Sequence, residues 1–298
     1  MSEKRCGYVA IVGRPNVGKS TLLNAILGQK LSITSRKRQT TRHAIHGIKT
    51  ENNTQVVYID TPGIHADRKT ILNRQMNKAA LSSMYDVSVI VFVVDANYWS
   101  EEDDAVLASV KEKDIPVILV ANKIDELKEK EALLPTLQDL AEKFDFAALV
   151  PVSAKQKTNI KELEAAILKY MPEGEHMFDE TQLTDRNDQF LMEEVIREKL
   201  FHNAHQEIPY ATTVVVDEIK KKKGILHISA TIYVEKQGQK AIVIGKNGEL
   251  MKQIGRQARL DLEAMYGTKV FLQLWVKVKE GWTNNEKMMN DFFLKKDE

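Results

Sequence analysis

Short apolar runs alternate with amphipathic segments through the first half of the chain. The strand-length runs are Tyr8–Val12, Gln55–Ile59, Val87–Val94, Val117–Val120 and Ala147–Val152. Apolar residues at helical spacing predict helices at Leu22–Leu27, Glu101–Lys113, Leu137–Phe144 and Ile160–Tyr170. Continuous apolar strands that alternate with helices are typical of a mostly parallel sheet covered by helices on both faces. The first half is therefore predicted to be an α/β domain.

The second half has a different order of elements, and Met171–Gly174 (MPEG) punctuates the change. Its patterns predict a helix, two alternating strands, a short helix, a longer helix and a final strand, at Leu191–Ala204, Thr212–Glu218, Leu226–Glu235, Lys240–Ile244, Glu249–Met265 and Val270–Val278. The two strands are joined across Lys220–Gly224, and a G-x-x-G turn separates the paired helices. The order α-β-β-α-α-β indicates a smaller α+β domain. We place the domains at residues 1–175 and 176–298.

Composition narrows the class of protein. The chain has 298 residues, 43% of them hydrophobic, which suits two medium domains. Its net charge of +1 means that any nucleic-acid surface comes from local patches. A single cysteine, Cys6, excludes an intramolecular disulfide and favours a reducing compartment. The N-terminus lacks a signal-peptide pattern, and the densest apolar run, Val87–Val94, is too short to cross a bilayer. We expect a cytoplasmic monomer without a transmembrane segment, with peripheral membrane contact left open.

The segment GRPNVGKS, Gly13–Ser20, matches the phosphate-binding pattern G-x-x-x-x-G-K-[ST] between a predicted strand and a helix. Gly13 and Gly18 let backbone N–H groups turn towards phosphate oxygens, and the helix N-terminus adds positive potential. Lys19 is predicted to reach the β- and γ-phosphates, and the Ser20 hydroxyl is a hard ligand for Mg²⁺. The loop therefore predicts a nucleoside triphosphate site, to which Asn16, Val17 and Thr21 also belong.

The stretch DTPGIH, residues 60–65, follows an apolar strand. Asp60 is placed to hold Mg²⁺, and the Gly63 N–H is placed to reach the γ-phosphate. Many GTP-hydrolysing switch proteins have a glutamine next, which orients the attacking water, but this chain has Ile64. Either the chain does not hydrolyse nucleotide or another group positions the water. His65 is a candidate general base, although a solvated loop histidine is the more ordinary interpretation.

Two further motifs at strand ends predict that the base is guanine. In NKID, the Asp125 carboxylate can accept hydrogen bonds from guanine N1 and N2, which adenine does not offer. Asn122 would brace the loop, and the Lys123 stem would pack on the base. In SAK, residues 153–155, the Ala154 N–H would reach guanine O6, with Ser153 and Lys155 beside it. Each motif is weak alone, but their order at carboxyl ends of strands predicts GTP and GDP as ligands.

The polar segment SITSRKRQTTRH, residues 32–43, is typical of a switch loop that becomes ordered on Mg²⁺ and the γ-phosphate. Thr41 is the preferred source of the hydroxyl ligand, and Thr40 is a close alternative. We count Lys19, Thr41 and Gly63 as catalytic candidates, and Ser20, Thr41 and Asp60 as metal ligands.

The second domain carries Gly245, Lys246, Asn247 and Gly248 between two predicted helices. In KH domains such a loop clamps the backbone of about four nucleotides. Between Leu200 and Gly281 there are 13 Lys+Arg and 8 Asp+Glu, an excess of five. Lys252, Arg256 and Arg259 recur at helical spacing, whereas Lys220–Lys223 are interpreted as a solvated face. We expect RNA contacts from the G-x-x-G loop, Lys252 and Arg256.

Two tryptophans are considered for base stacking. Trp275 lies within a predicted strand, which favours the core. Trp282 follows the last strand and is the better candidate of the two.

GRPNVGKSTLLN, QTTRH, DTPG, NKID and SAK, together with VIGKNGELMKQIG and WVKVKEGW, resemble the Era family of bacterial GTPases over nearly the whole chain. The resemblance implies a P-loop GTPase domain followed by a type II KH domain. It also implies a GTP-dependent factor that binds small-subunit rRNA near its 3′ end and assists maturation of the small ribosomal subunit. The alternative is a membrane-associated regulatory GTPase whose second domain binds a protein or lipid.

The resemblance also bears on Ile64, because Era-like GTPases carry a hydrophobic residue at this position. In related GTPases a P-loop asparagine, matched here by Asn16, helps to coordinate potassium beside the phosphates. We therefore hypothesise that K⁺, held by Asn16 and switch-loop carbonyls, stabilises charge in the transition state. The alternative is that Asn16 only hydrogen-bonds within its loop.

Overall fold

The computed structural model describes residues 3–35, 37, 40–64, 71–127, 133–204, 208–285 and 288. The chain divides into two compact units, one of residues 1–68 and 73–185 and one of residues 69–72 and 186–298. The expected α/β class of the first and α+β class of the second are confirmed. The division at residues 175 and 176 stays a prediction about which residues fold independently.

The first unit is built on a sheet of order β2-β3-β1-β4-β5-β6. Its strands are β1 (Arg5–Val12), β2 (Ile45–Glu51), β3 (Thr54–Asp60), β4 (Val89–Asp95), β5 (Val117–Asn122) and β6 (Ala148–Val152). Only the pairing of β2 with β3 is antiparallel; the other described pairs are parallel. The central strands β1, β4 and β5 are buried along almost their whole length, because helices cover both faces.

Strand β2 and the helix at Ile71–Ser82 were not predicted. Strand β2 mixes polar and apolar residues because it is the edge strand, so it lacks the continuous apolar run of its neighbours. The sequence did carry a signal, since Asn52 and Asn53 form a two-residue turn with φ of 48° and 63°. Asparagine tolerates this left-handed region, and two such residues in succession favour a tight hairpin.

Helices and core complete the first unit. Its helices are α1 (Lys19–Leu27), α2 (Ile71–Ser82), α3 (Glu101–Lys111), α4 (Leu133–Ala141) and α5 (Ile160–Leu168). Helix α3 begins at a capping box, in which Ser100 and Asp103 satisfy each other's backbone N–H groups. Its buried face, Val106, Leu107 and Val110, packs in one cluster with the apolar side chains of β4 and β5.

The segment after α5 lies along the sheet of the first unit. Cys6 N donates to Pro172 O at 3.1 Å, and Ile48 N donates to Leu183 O at 2.8 Å. Between these ends, the fully buried Gln55 side chain accepts from the backbone N–H groups of Met177 and Phe178 and donates to Phe178 O. We call residues 172–185 the strap. It satisfies edge groups that would otherwise be open for pairing.

The second unit has the expected α-β-β-α-α-β order. Its elements are α6 (Asp188–Asn203), β7 (Thr212–Lys222), β8 (Ile225–Val234), α7 (Gln237–Ile244), α8 (Glu249–Tyr266) and β9 (Lys269–Val278). Strand β8 is central, antiparallel to β7 and parallel to β9. The predicted connection Lys220–Gly224 is too long, because β7 continues to Lys222 and turns through Lys223 and Gly224, both at positive φ. Ile228, Ile232, Ile254 and Leu262 lie in the core between sheet and helices.

Candidate nucleotide site and candidate RNA interface

Strand register brings the predicted nucleotide motifs to one edge of the first sheet. Ile11 of β1 pairs with Asp60, and Asn122 of β5 pairs with both Asp95 and Val152. The P-loop, DTPG, NKID and SAK segments follow β1, β3, β5 and β6 directly, so all four meet at the carboxyl ends of parallel strands. This is the edge at which open α/β sheets bind ligands.

The two P-loop glycines are required by close backbone and side-chain approaches. Gly13 has φ of 151°, and a Cβ there would lie 2.3 Å from Val93 O. Gly18 has φ of 100°, and a Cβ there would lie 2.3 Å from the Asn122 side-chain nitrogen. A side chain at either position would therefore collide with a neighbouring strand end. Gly63 is constrained in the same way, because a Cβ would lie 2.8 Å from Pro15 N.

Lys19 is buried at the bottom of this loop. Its Nζ donates to Gly13 O at 3.0 Å and to Arg14 O at 2.9 Å. Burial lowers the pKa of Lys19 to about 8, a shift that Asp60 opposes and the nearby Arg14 guanidinium reinforces. A cation with so few compensating charges favours an anionic ligand such as a phosphate.

The three predicted metal ligands converge. The Ser20 hydroxyl donates to Asp60 Oδ2 at 2.7 Å and lies 2.8 Å from Thr41 Oγ1. Thr40 instead donates its hydroxyl to Lys37 O at 2.7 Å. The structure thus brings Thr41, and not Thr40, to the other two ligands. A pocket beside Ser20, Thr41 and Asp60 is lined by the P-loop and by the predicted switch loop at residues 32–43, which we call the switch segment. Its lining includes Asn16, Gly18, Thr21, Ile33, Thr34 and Gly63.

The chemistry of this cluster fits Mg²⁺. Asp60 is fully buried, and its Oδ1 has no hydrogen-bond partner among the described residues. Burial raises the pKa of Asp60, although the Ser20 hydroxyl and Lys19 oppose the shift. A carboxylate oxygen and two hydroxyls are hard oxygen donors of the kind that Mg²⁺ prefers, and a cation there would offset the cost of burying the carboxylate.

The opposite end of the site contains the residues predicted to read guanine. The Asn122 side chain donates to Val17 O at 2.8 Å and accepts from Ala154 N at 3.0 Å, so it links the P-loop to the SAK segment. Ser153 donates to Asp125 Oδ1 at 2.6 Å, which orients that carboxylate. A guanine O6 at Ala154 would share the amide with Asn122. Lys155 is exposed.

Two acidic residues of the site were not identified from the sequence. Asp95, at the end of β4, accepts from Lys123 Nζ at 2.7 Å, and this contact holds Lys123 beside the loop. Asp103 accepts from Arg14 Nε at 2.9 Å, and both side chains are buried. Arg14 also lies 4.4 Å from the centre of the Tyr98 ring. Asp95 follows the strand-end rule and could have been found, whereas the partner of Arg14 is 89 residues away.

Ile64 does not face the pocket. Its side chain is 7% exposed and packs in the apolar cluster with Val12, Ile59 and Ala80. The residue that replaces the usual glutamine is therefore a core residue, and it contributes packing rather than water orientation. His65, the other candidate at this turn, lies outside the described residues.

The G-x-x-G loop of the second unit has the backbone that its glycines allow. Gly245 and Gly248 both have φ of 75°, and a Cβ on Gly245 would lie 2.8 Å from the Leu250 Cβ. Lys246 and Asn247 are exposed at the tip, as are Lys252 and Arg256 on α8. Arg259 is different, because it forms an ion pair with Glu263 at 2.8 Å. Ile242 is 47% exposed beside the loop, whereas Ile254 is fully buried.

The expectation for the two tryptophans was wrong. Trp282 is fully buried, and its ring nitrogen donates to Ala211 O at 3.3 Å. Trp275 is 57% exposed, because it points to the face of the sheet opposite the helices. Membership of a strand indicated burial, but a strand in a sheet with one covered face buries only alternate residues.

Comparison with known families supports both parts of this description. Residues 8–123 match a family model described as a 50S ribosome-binding GTPase, and residues 207–283 match one described as a KH domain. A GTPase Era of Marinobacter nauticus is 52% identical over 287 residues, which covers 96% of this chain and 94% of the relative. The chain belongs to the Era family of GTPases. A GTPase Era of Pseudomonas aeruginosa is also 52% identical, over 96% of this chain and 93% of its own.

Solved structures of Era agree with the fold. An Era in complex with MgGDPNP and nucleotides 1506–1542 of 16S ribosomal RNA matches with a TM-score of 0.94 and 39% identity, over 97% of this chain and 99% of that one. A variant of Aquifex aeolicus Era bound to GDP and AlF4⁻ matches with the same score, identity and coverage. As an Era-family protein, this chain is a GTPase with a C-terminal KH domain. Among its described helices, none has both the length and the apolar character needed to cross a membrane.

Proposed function

We propose that this GTPase is a switch that binds small-subunit rRNA near its 3′ end and assists maturation of the small ribosomal subunit in the cytoplasm. The observation that carries the proposal is the presence, in one chain, of a complete phosphate site and an exposed G-x-x-G loop. The similarity to an Era in complex with nucleotides 1506–1542 of 16S rRNA supports the choice of RNA.

In the nucleotide site, Lys19 and the P-loop amides would hold the phosphates, and the Gly63 N–H would face the γ-phosphate. Ser20, Thr41 and Asp60 would hold Mg²⁺, which supplies charge neutralisation for the transferring phosphoryl group when bound. Asp125, oriented by Ser153, would select guanine. Because Ile64 lies in the core, other groups would have to orient the attacking water and stabilise charge in the transition state. The backbone, the cations and the switch segment would supply these groups.

We extend the proposal to potassium. The Asn16 side chain is exposed and lines the same pocket as Ile33, Thr34 and Ser35 of the switch segment. An amide oxygen and nearby backbone carbonyls are suitable ligands for K⁺ beside the phosphates. Hydrolysis should be faster in potassium chloride than in sodium chloride at equal ionic strength, and Asn16→Ala should remove most of that difference. Equal turnover of the wild-type protein in the two salts would contradict this part of the proposal.

In the second unit, the G-x-x-G loop would clamp the RNA backbone while Lys252 and Arg256 contact phosphates. Both glycines are at positive φ, so the loop can approach the RNA backbone closely. The exposed Lys246 adds charge at the tip. Such a loop accounts for about four nucleotides, far fewer than the 16S fragment in the related complex, which spans nucleotides 1506–1542.

Equilibrium binding of a fluorescent RNA with the 3′-terminal sequence of small-subunit rRNA tests the proposal. We expect tight binding that is stronger with a non-hydrolysable GTP analogue than with GDP. Gly248→Asp should weaken it at least about tenfold, because the substitution combines a strained φ with a carboxylate facing phosphates. Lys161→Gln, which changes an exposed lysine of α5 outside the nucleotide site, is the control and should leave RNA affinity unchanged.

Two further experiments distinguish this proposal from the alternative functions. Isolated small and large subunits are compared, because the family model of the first unit is described as a 50S ribosome-binding GTPase. Preference for the large subunit would contradict the proposal. Vesicles of anionic lipid test peripheral membrane contact, and binding to vesicles without binding to RNA would favour a membrane-associated switch.

A further inference from the structure

The outer face of the KH sheet exposes aromatic rings in an ordered pattern. Strand β9 points Lys269, Phe271, Gln273, Trp275 and Lys277 away from the helices, and all five are exposed. Phe271 is 49% and Trp275 is 57% exposed. Their Cα atoms are four residues apart on a strand, a separation of about 13 Å. Two large rings left half in water on one strand mark an interaction surface rather than scattered apolar residues.

Strand pairing extends this surface across the sheet. Lys220 of β7 and His227 of β8 lie in one row with Phe271, and the His227 and Phe271 rings are 5.2 Å apart. Lys222 and Lys269 lie in the next row, on either side of Ile225. We call the outward-facing residues of β7, β8 and β9 the outer face.

The outer face suits a polyanion with flat bases. Lys269 and Lys277 lie at the two ends of the outward-facing side chains of β9. Lys222 of β7 lies across the sheet from Lys269, with Ile225 between them. The carboxylates of the outer face are engaged, since Glu218 pairs with Lys220 and Asp217 accepts from Thr231. Between the rings, Gln273 accepts from Ser229 at 3.4 Å and keeps its amide N–H groups for other acceptors. Rings for stacking, amides for base edges and lysines for phosphates are the components of a single-stranded RNA surface.

A protein partner fits this face less well. A protein interface would have to include the lysines at both ends of the β9 side chains, a residue type that is depleted in interfaces relative to the rest of the surface. A bilayer would have to bury the polar Gln273 and Ser229 that lie between the rings. A single-stranded RNA would use the rings, the Gln273 amide and the lysines.

We propose that the outer face is a second RNA-binding surface, on which Phe271 and Trp275 stack bases of a single-stranded segment that flanks the nucleotides held by the G-x-x-G loop. This inference rests on the proposed function, because it assumes that RNA is the partner. It provides a binding surface for part of the RNA that lies beyond the roughly four nucleotides held by the G-x-x-G loop.

The test compares two RNAs with the full chain. One is a hexanucleotide that fills the G-x-x-G clamp alone, and the other is the whole 3′-terminal segment. We expect Phe271→Ala and Trp275→Ala each to weaken binding of the long RNA by about 5- to 100-fold, the loss of one stacked base. Both variants should bind the hexanucleotide within about twofold of wild type. Tyr85→Ala, which removes an exposed ring of the first unit, is the matched control and should change neither affinity.

A spectroscopic readout makes stacking visible. Trp275 fluorescence should be quenched by the long RNA and not by the hexanucleotide, and Trp275→Phe should keep the affinity while losing the quenching. Lys269→Gln and Lys277→Gln should each lower the slope of log affinity against log salt by about one. Thermal unfolding of every variant checks that the sheet is intact, which is expected because these side chains face water.

The outcomes separate this inference from the proposed function. Loss of long-RNA binding in Gly248→Asp with no loss in Phe271→Ala or Trp275→Ala would overturn the outer face and leave the clamp standing. Failure of the wild-type chain to bind either RNA would overturn both proposals. If the aromatic variants lose binding to anionic vesicles or to rRNA-free ribosomal proteins while keeping full RNA affinity, the outer face serves another partner and the inference is wrong.

Discussion

At the scale of single residues, burial of the Lys19 ammonium in the phosphate site destabilises the folded state. Its pKa is lowered to about 8 in the folded chain, whereas an unfolded lysine keeps a pKa near 10.5. Below pH 8 the folded state therefore carries the full cost of a buried charge, about 3 kcal/mol for this shift. Between pH 8 and 10.5 the unfolded state binds more protons, so this cost falls as the pH rises.

Lys19→Met should remove that cost. We expect the nucleotide-free variant to have a higher free energy of unfolding than wild type at pH 7, and the difference to shrink by about 3 kcal/mol towards pH 10. Urea unfolding across this range measures it, and Lys155→Met, at an exposed lysine, is the control. A difference that does not depend on pH would show that the ammonium is not buried as described.

Ile64 gives a second prediction at this scale. Ile64→Gln restores the residue type of other switch GTPases, but the position faces the core, so the amide would be buried without a partner. We expect a loss of about 2 kcal/mol in the free energy of unfolding and no increase in single-turnover GTP hydrolysis. Ile64→Val is the control, with a loss of about 1 kcal/mol. A tenfold faster reaction in Ile64→Gln would mean that the side chain reaches the nucleotide.

At the scale of elements, Gln55 is the link between strand β3 and the strap. One carbonyl oxygen accepts from the N–H groups of Met177 and Phe178 at 2.8 and 2.9 Å, and the amide nitrogen donates to Phe178 O and to Thr50 Oγ1. A buried side chain that satisfies three backbone groups of the strap fixes where the strap lies.

Gln55→Leu should release the strap without unfolding the sheet. The variant removes the acceptor of the Met177 and Phe178 N–H groups, at a cost of up to about 1–3 kcal/mol each, and hydration relieves that cost if the strap opens. Hydrogen exchange should therefore accelerate at Met177 and Phe178 and stay slow in β1 and β4. Uniform acceleration across the first unit would indicate general destabilisation. Gln156→Leu, at an exposed position, is the control.

Much at this scale was predictable from residue patterns. The central strands are continuous apolar runs, because a strand buried on both faces has no polar side. Strand β2 was missed because one of its sides is polar, and α2 was missed because its mixed pattern begins without a strong sequence signal for a helix start. The outward direction of Trp275 depends on which face of the KH sheet the helices cover, and that is decided by packing between distant segments.

At the scale of the whole molecule, the chain joins a nucleotide site and a proposed RNA surface while its net charge is only +1. If the GTP state binds RNA more tightly, then RNA must strengthen binding of the GTP analogue by the same factor, because the coupling free energy is shared.

That reciprocity is a testable prediction. The ratio of RNA affinities with GTP analogue and with GDP should equal the ratio by which RNA changes the relative affinities of the two nucleotides. Isothermal titration calorimetry of RNA and of each nucleotide measures both ratios. Gly248→Asp, in which the G-x-x-G clamp is impaired, should reduce both ratios towards one. Tighter RNA binding with GDP would reverse the sign of the proposed switch, and unequal ratios would indicate an unrecognised state.

The sequence alone determined the α/β and α+β classes, the phosphate loop and the G-x-x-G turn, because each depends on local spacing and on backbone that glycine permits. Tertiary structure decided which threonine meets Ser20 and Asp60, that Arg14 pairs with Asp103, that Ile64 is a core residue, and that Trp275 is exposed while Trp282 is buried. Those outcomes depend on contacts between segments tens of residues apart, where local pattern carries no information about the partner. Side-chain direction and burial are properties of the packed molecule, so only the fold could reveal them.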